Sequence, residues 1–157
     1  MEALFMLRTL IGFLAFSVFM PMISNEASAI DRCSMTVRNG SGSSVGRLES
    51  DGTVRDSSGS GDGRIDADGT VRNSSGSSIG KVTEDGTIRN SSGSSIGRVD
   101  SDGTLRGSSG SSIGRIDASG TVRNSSGSSS GRFDGYSDSC RQAAAAYLFF
   151  FNPLHMR

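Results

Sequence analysis

DGTVRNSSGSSIGK, Asp68–Lys81, returns seventeen residues later as DGTIRNSSGSSIGR, Asp85–Arg98. The period holds well beyond these two copies. Thr36, Thr53, Thr70, Thr87, Thr104 and Thr121 are each followed by an aliphatic residue and an arginine, with 17 residues between successive threonines. Six units without insertion or deletion mark a repeat architecture. The seventh and eleventh residues of every unit are glycine, Gly76 and Gly80 in the third, and the seventeenth is glycine except at Ser137. Glycine at fixed offsets implies fixed backbone geometry. A flexible Ser/Gly linker would not keep its aliphatic residues in phase.

Each unit carries two short strand signals, one around TVRN and one around IGRID, separated alternately by SSGS and by x-D-G turns. The x-D-G turn fixes the register. With Asp68-Gly69 as a two-residue turn, Ile65 would face Arg72 and Val71 would face Asp66, mixing core with charge. With a three-residue loop, Ala67-Asp68-Gly69, and Gly69 in the left-handed region, Ile65 faces Val71. The same loop pairs Leu48 with Val54, Val82 with Ile88, Val99 with Leu105 and Ile116 with Val122. Ile79, like Val45, Ile96 and Ile113, lies three positions before an inward residue and so falls on the opposite face of a regular strand. Either a bulge at Gly80 turns it inward or it packs on the next hairpin. Asp62 and Ser130 hold this position in the second and sixth units.

At most three large apolar residues per unit cannot offset the ordering entropy of one hairpin, so neighbouring hairpins must share a core. Five complete x-D-G hairpins leave a first strand, Thr36–Asn39, and a last, Ser130–Asp134. Pairing them gives an all-β fold, a closed ring of short hairpins without a free edge. An open β-solenoid with a terminal cap is the competing architecture.

The flanks read differently. Residues 1–29 have the form of a secretory signal: Arg8, the apolar run LIGFLAFSVFMPMI, then Ala27-Ser28-Ala29 with cleavage after Ala29. A retained membrane anchor is the alternative, disfavoured by Pro21 and the small residues near the cleavage site. Removing this segment takes away Glu2, Arg8 and Glu26 and leaves 15 basic and 14 acidic residues in a nearly neutral chain. Nucleic acid is thereby disfavoured as a partner, and membrane contact is expected only through the signal before cleavage. Residues 30–140 form the repeat domain, with its six units at 36–137. Cys33 and Cys140 stand just outside the repeats, and in an oxidising compartment a disulfide closing the ring is the natural inference. Residues 141–157 contain RQAAAAYLFFFNPL, a short apolar helix ending near Pro153. It is too short to span a bilayer. It suits a plug or base for one end of the ring; a partner-binding or membrane-surface segment is the rival use.

The acidic turns do not make calcium loops. An EF-hand counted from Asp66 needs a glutamate where Ser77 stands, and the nonapeptide calcium repeat does not fit the period. No metal or other cofactor is expected. His155, the lone histidine, lies in the tail, so the serines of the repeats have no partner base and catalysis is not expected. Arg38, Arg55, Arg72, Arg89, Arg106 and Arg123 form one basic circle, with Arg47, Arg64, Lys81, Arg98, Arg115 and Arg132 beside it. Acids such as Asp66 and Asp100 fall diagonally across from the first set and neutralise it; otherwise the circle is a multivalent array for a polyanion or glycan. The repeats have no aromatic platform for sugar stacking.

This repeat grammar, with the signal and the closing R-x-A-A-A-A-x-L-F-F-F, resembles the five-fold β-flower family of small secreted bacterial proteins, over Thr36–Phe151. The resemblance implies hairpins arranged as petals about an axis, with no established activity beyond adhesin-like labels. Five x-D/S-G turns agree with five-fold symmetry, whereas six T-aliphatic-R strands count six. The expectation is a non-enzymatic structural or adhesin-like protein, secreted, periplasmic or at the cell surface; the alternative is a multivalent module for a cell-surface glycan or matrix polymer.

Overall fold

A computed structural model describes Ile30, residues 33–151 and Leu154. The signal segment with Ala29, and His155, lie outside the described residues. The chain forms strands β1 (Met35–Asn39), β2 (Ser44–Leu48), β3 (Thr53–Asp56), β4 (Gly61–Ile65), β5 (Thr70–Asn73) and β6 (Ser78–Val82). The second half repeats this as β7 (Thr87–Asn90), β8 (Ser95–Val99), β9 (Thr104–Gly107), β10 (Ser112–Ile116), β11 (Thr121–Asn124) and β12 (Ser129–Asp134). A 3-10 turn, Asp138–Cys140, leads into helix α1, Arg141–Phe150. Each strand pairs antiparallel with its neighbours in sequence, and β1 pairs with β12, so the sheet closes into a barrel. The ring, not the open solenoid, is the architecture.

Six hairpins, β1–β2 through β11–β12, turn through the serine-rich loops, and five three-residue loops join them, four of them x-D-G and the last Ala118-Ser119-Gly120. In the loop after β5 the Gly76 amide donates to the Asn73 carbonyl at 2.9 Å, and Asn73 N–H donates to Ser77 O at 3.0 Å. The Asn73 side-chain oxygen accepts from the amides of Ser75 and Ser77, which an asparagine at a turn does readily. In the x-D-G loop Asp66 N–H donates to Thr70 O at 2.8 Å and Gly69 N–H to Asp66 O at 2.9 Å. That is the three-residue loop, with Gly69 at φ 84°. Ile65 faces Val71, and the other four aliphatic pairs follow the same register.

The isoleucine ambiguity resolves as a bulge. Arg72 faces Ser78 and Val71 faces Gly80, so Ile79 is the extra residue of the bulged strand. It is half-buried and packs against the rim of the core, as do Val45, Ile96 and Ile113. The bulge residue is thus Ile79 itself rather than Gly80.

Alternation sends positions 2, 11 and 13 of each unit into the barrel: Val71, Gly80 and Val82 in the third. Inside lies α1. Ala143, Ala144, Ala145 and Ala146 are all fully buried, so a complete turn of the helix is enclosed on every side. Four alanines give strong helix propensity in a slender rod. Beyond them the bulky side chains fan out to different strands. Tyr147 reaches Gly46, Phe149 reaches Gly97, Phe150 reaches Gly80, Phe151 reaches Gly63 and Leu154 reaches Gly131. A segment that touches β2, β4, β6, β8 and β12 of one closed barrel occupies its lumen.

This corrects the reading of the eleventh-position glycines. They do not have positive φ, unlike Gly69 and Gly76. A Cβ at Gly63 would lie 2.7 Å from Phe151 Cε1, and one at Gly131 would lie 2.9 Å from Leu154 Cδ2. These glycines exist to leave room for the plug.

Candidate functional site: the outer cation ladder

Alternation that buries Val71 and Val82 turns their neighbours outward. Register then places cations directly opposite each other: Arg47 and Arg55, Arg64 and Arg72, Lys81 and Arg89. Around the other half stand Arg98 and Arg106, Arg115 and Arg123, and Arg132 and Arg38 across the closure. Like charges facing across a ladder destabilise a sheet.

A carboxylate at the fourteenth position of the unit offsets this repulsion. Glu49 lies 3.0 Å from Arg47 Nε and 2.9 Å from Arg55 Nε. Asp66 spans Arg64 and Arg72 at 3.0 and 2.7 Å, and Asp134 spans Arg132 and Arg38 at 2.5 Å each. Asp100 accepts from Arg98 Nε and Arg106 Nε at 2.6 Å. Asp117 meets Arg123 alone, at 3.7 Å, while Arg115 exerts a longer-range attraction on Asp102. The bridging guanidiniums hold three of these acids below the usual carboxylate range: Glu49 chiefly through Arg55, Asp100 through Arg106, and Asp134 through Arg38. These pairs are open to solvent, which screens them, so each contributes little by itself.

The arginine circle has a second structural duty. In every one of the six arginines Nη1 donates to the carbonyl of the positive-φ glycine in the following serine turn, Arg72 to Gly76 at 3.2 Å and Arg89 to Gly93 at 3.0 Å among them. One side chain therefore ties a hairpin turn to the loop acid behind it. The structure brings all six arginines onto the outside of the barrel, each still partly open to solvent, and five of them, all but Arg89, are braces neutralised by an acid among the described residues. Thr83 breaks the pattern: it stands where the other five units carry an acid. Sequence alone displayed that exception, but its meaning depends on knowing that Lys81 faces Arg89.

At the loops, Asp68 accepts from the Thr70 amide at 2.9 Å, from its hydroxyl at 3.0 Å and from Lys81 at 3.1 Å. Those bonds, the Thr70 amide first, lower it to about 2. Open furrows run between hairpins on the outside; one of about 430 Å³ is lined by Arg98, Arg106, Ser95 and Ser108. Among the described residues no group of three His, Cys, Asp or Glu is placed to hold a metal ion.

Cys33 and Cys140 form a disulfide with Cα atoms 5.6 Å apart, as their positions predict. Such a bond fits an extracytoplasmic compartment. Among the described residues no helix is long and apolar enough to cross a membrane.

No curated protein and no solved structure matches the chain. A family pattern does, over residues 34–151, and its description names five-fold symmetry, whereas this barrel has six hairpins and five x-D/S-G joints. By that match, which runs from the strand-entry serine to the last phenylalanine of the plug, the chain belongs to the family described as 5-fold beta-flower protein.

Proposed function

We propose that the protein is an exported, non-enzymatic scaffold of structural or adhesin-like type, acting in the periplasm, at the cell surface or outside the cell. The observation that carries this reading is the occupied lumen. Barrels that bind small molecules keep an interior cavity, whereas this one fills its interior with its own helix and matches Tyr147, Phe149, Phe150, Phe151 and Leu154 each to a glycine. The disulfide and the secretory form of residues 1–29 support export. Ion pairs that serve the fold absorb most of the outer cations, which disfavours the arginine circle as a multivalent array.

The decisive experiment takes the mature chain, from Ile30, through a panel of glycans, peptidoglycan and matrix proteins, together with generic hydrolase substrates. The scaffold reading expects no turnover, and at most binding whose strength does not fall steeply with salt. Salt-sensitive, multivalent binding to one polyanion, lost on neutralising several of the six circle arginines, would replace it with the array reading. Turnover abolished by a point substitution would overturn both.

A further inference from the structure

Five of the six cation pairs on the outside of the barrel have a carboxylate from their own unit, and the Lys81–Arg89 pair has Thr83 instead. Among the described residues neither Lys81 nor Arg89 donates to Thr83, whose single hydroxyl proton has the Asp85 carboxylate and the Thr87 carbonyl within reach. Lys81 leans away to Asp68 of the preceding unit at 3.1 Å. Arg89 spends Nη1 on the Gly93 carbonyl, and alone in the circle it has no carboxylate partner among the described residues.

The geometry points to a single-anion site on the outer face of β6 and β7, where a carboxylate, sulfate or phosphate group from solution takes the place that Glu49, Asp66, Asp100 and Asp134 hold between their own cation pairs. The protein itself supplies the template. In four units one carboxylate lies within ion-pair distance of the Nε atoms of two facing arginines, and in two of them, at Glu49 and Asp100, it accepts a hydrogen bond from both. In the third unit the backbone register is the same, Lys81 opposite Arg89 as Arg64 is opposite Arg72. Like charges facing across the ladder favour any anion that settles between them. Arg89 provides a directional Nε–H donor, and Lys81 is a mobile charge that can swing from Asp68. The site is single and exposed. Binding is therefore one anion per chain and weak, unlike the six-fold array that the arginine circle suggests.

The test reads the side-chain Nε–Hε signals of all the arginines by NMR while acetate, sulfate or phosphate is added against chloride at equal ionic strength. A saturable shift at Arg89, with Arg72 and Arg106 unmoved, is the expected result. Thr83→Asp restores the missing acid, so it abolishes the shift and raises the unfolding midpoint by about 2 °C. Arg89→Gln abolishes binding without that gain in stability. Free galacturonate and polygalacturonate at equal carboxylate concentration distinguish sources. A polymer-borne group saturates the site at lower concentration, and a free ion saturates it equally in both forms. No saturable change at Arg89, equal shifts at all six circle arginines, or a shift that survives in Thr83→Asp each overturn the site. None of these outcomes bears on the scaffold reading, which fails only through the panel.

Discussion

At the scale of single residues, three kinds of glycine do three kinds of work, and substitution separates them. Gly76 has φ 83° with open space around it, so Gly76→Ala meets only left-handed strain, about 1 kcal/mol. Gly80 has ordinary φ but lies against the Arg89 carbonyl and the Phe150 ring, so Gly80→Ala overfills the lumen and costs about 3 kcal/mol. Gly69 combines both burdens, φ 84° and the Val82 carbonyl where a Cβ would sit, so Gly69→Val lowers the midpoint far below that of Ala67→Val, an exposed loop change. Urea unfolding of the set checks the order; equal midpoints for Gly76→Ala and Gly80→Ala would remove the plug from the explanation. The loop aspartates set the acid behaviour. Asp68 is lowered from 3.8 to about 2 when folded, so its contribution is complete above the unfolded value and is lost as pH falls through about 2. Asp51 and Asp102 are lowered by the same amide and hydroxyl bonds, from Thr53 and Thr104. Stability should therefore decline between about pH 4 and pH 2, and Asp68→Asn should flatten that decline, which thermal melts across the range will show.

At the scale of elements, the helix and the barrel are complementary halves of one core. Narrow alanines occupy one length of the lumen, and wide aromatics occupy the level at which the strands offer glycine. Tyr147 is 2 % exposed and stacks edge to face on Phe133 at 6.0 Å, so Tyr147→Ala should cost about 3–5 kcal/mol in chemical unfolding. Burial also pushes the Tyr147 hydroxyl up from 10.0 to about 12. The neutral form is the folded one. Stability is therefore intact below pH 10.0, falls as the unfolded chain ionises above it, and levels beyond about 12; Tyr147→Phe should remove much of this alkaline loss, with Tyr136 supplying a remainder. The x-D-G register was legible because Ile65 and Val71 carry side chains whose alternation betrays their face. Position eleven was not, because a glycine has no side chain to register a face, and its ordinary φ leaves no conformational signature. Ile79 resisted reading for a related reason: its half-burial comes from a bulge, which breaks the period that the reading relies on. For the cation ladder, the acids at Asp66 and Asp100 announced neutralisation, and what escaped was their bridging of two facing cations, a property of closed register.

At the scale of the whole molecule, closure is made twice at one place. Strands β1 and β12 pair through Thr36 with Asp134 and Val37 with Phe133, and the disulfide joins Cys33, just before β1, to Cys140, just before α1. The bond thus ties the entry of the barrel to the root of its plug. Without it, the unfolded chain regains the freedom of a loop of 107 residues, worth about 4–5 kcal/mol in the chain-entropy treatment. That is close to the whole stability of many small domains, about 5 kcal/mol at the low end. Cys140→Ser should therefore lower the unfolding midpoint steeply, and wild-type protein in reductant should fall to the same value. The β1–β12 ladder gives a way to separate the two closures, since its hydrogen bonds do not depend on the sulfurs. Amide exchange in the reduced protein should quicken first at Val37 and Phe133 and at the alanines of α1, while Ile65 and Val71 on the far side stay protected. If reduction leaves the midpoint unchanged, the ladder and the plug alone close the ring, and the disulfide has no stabilising part in the fold.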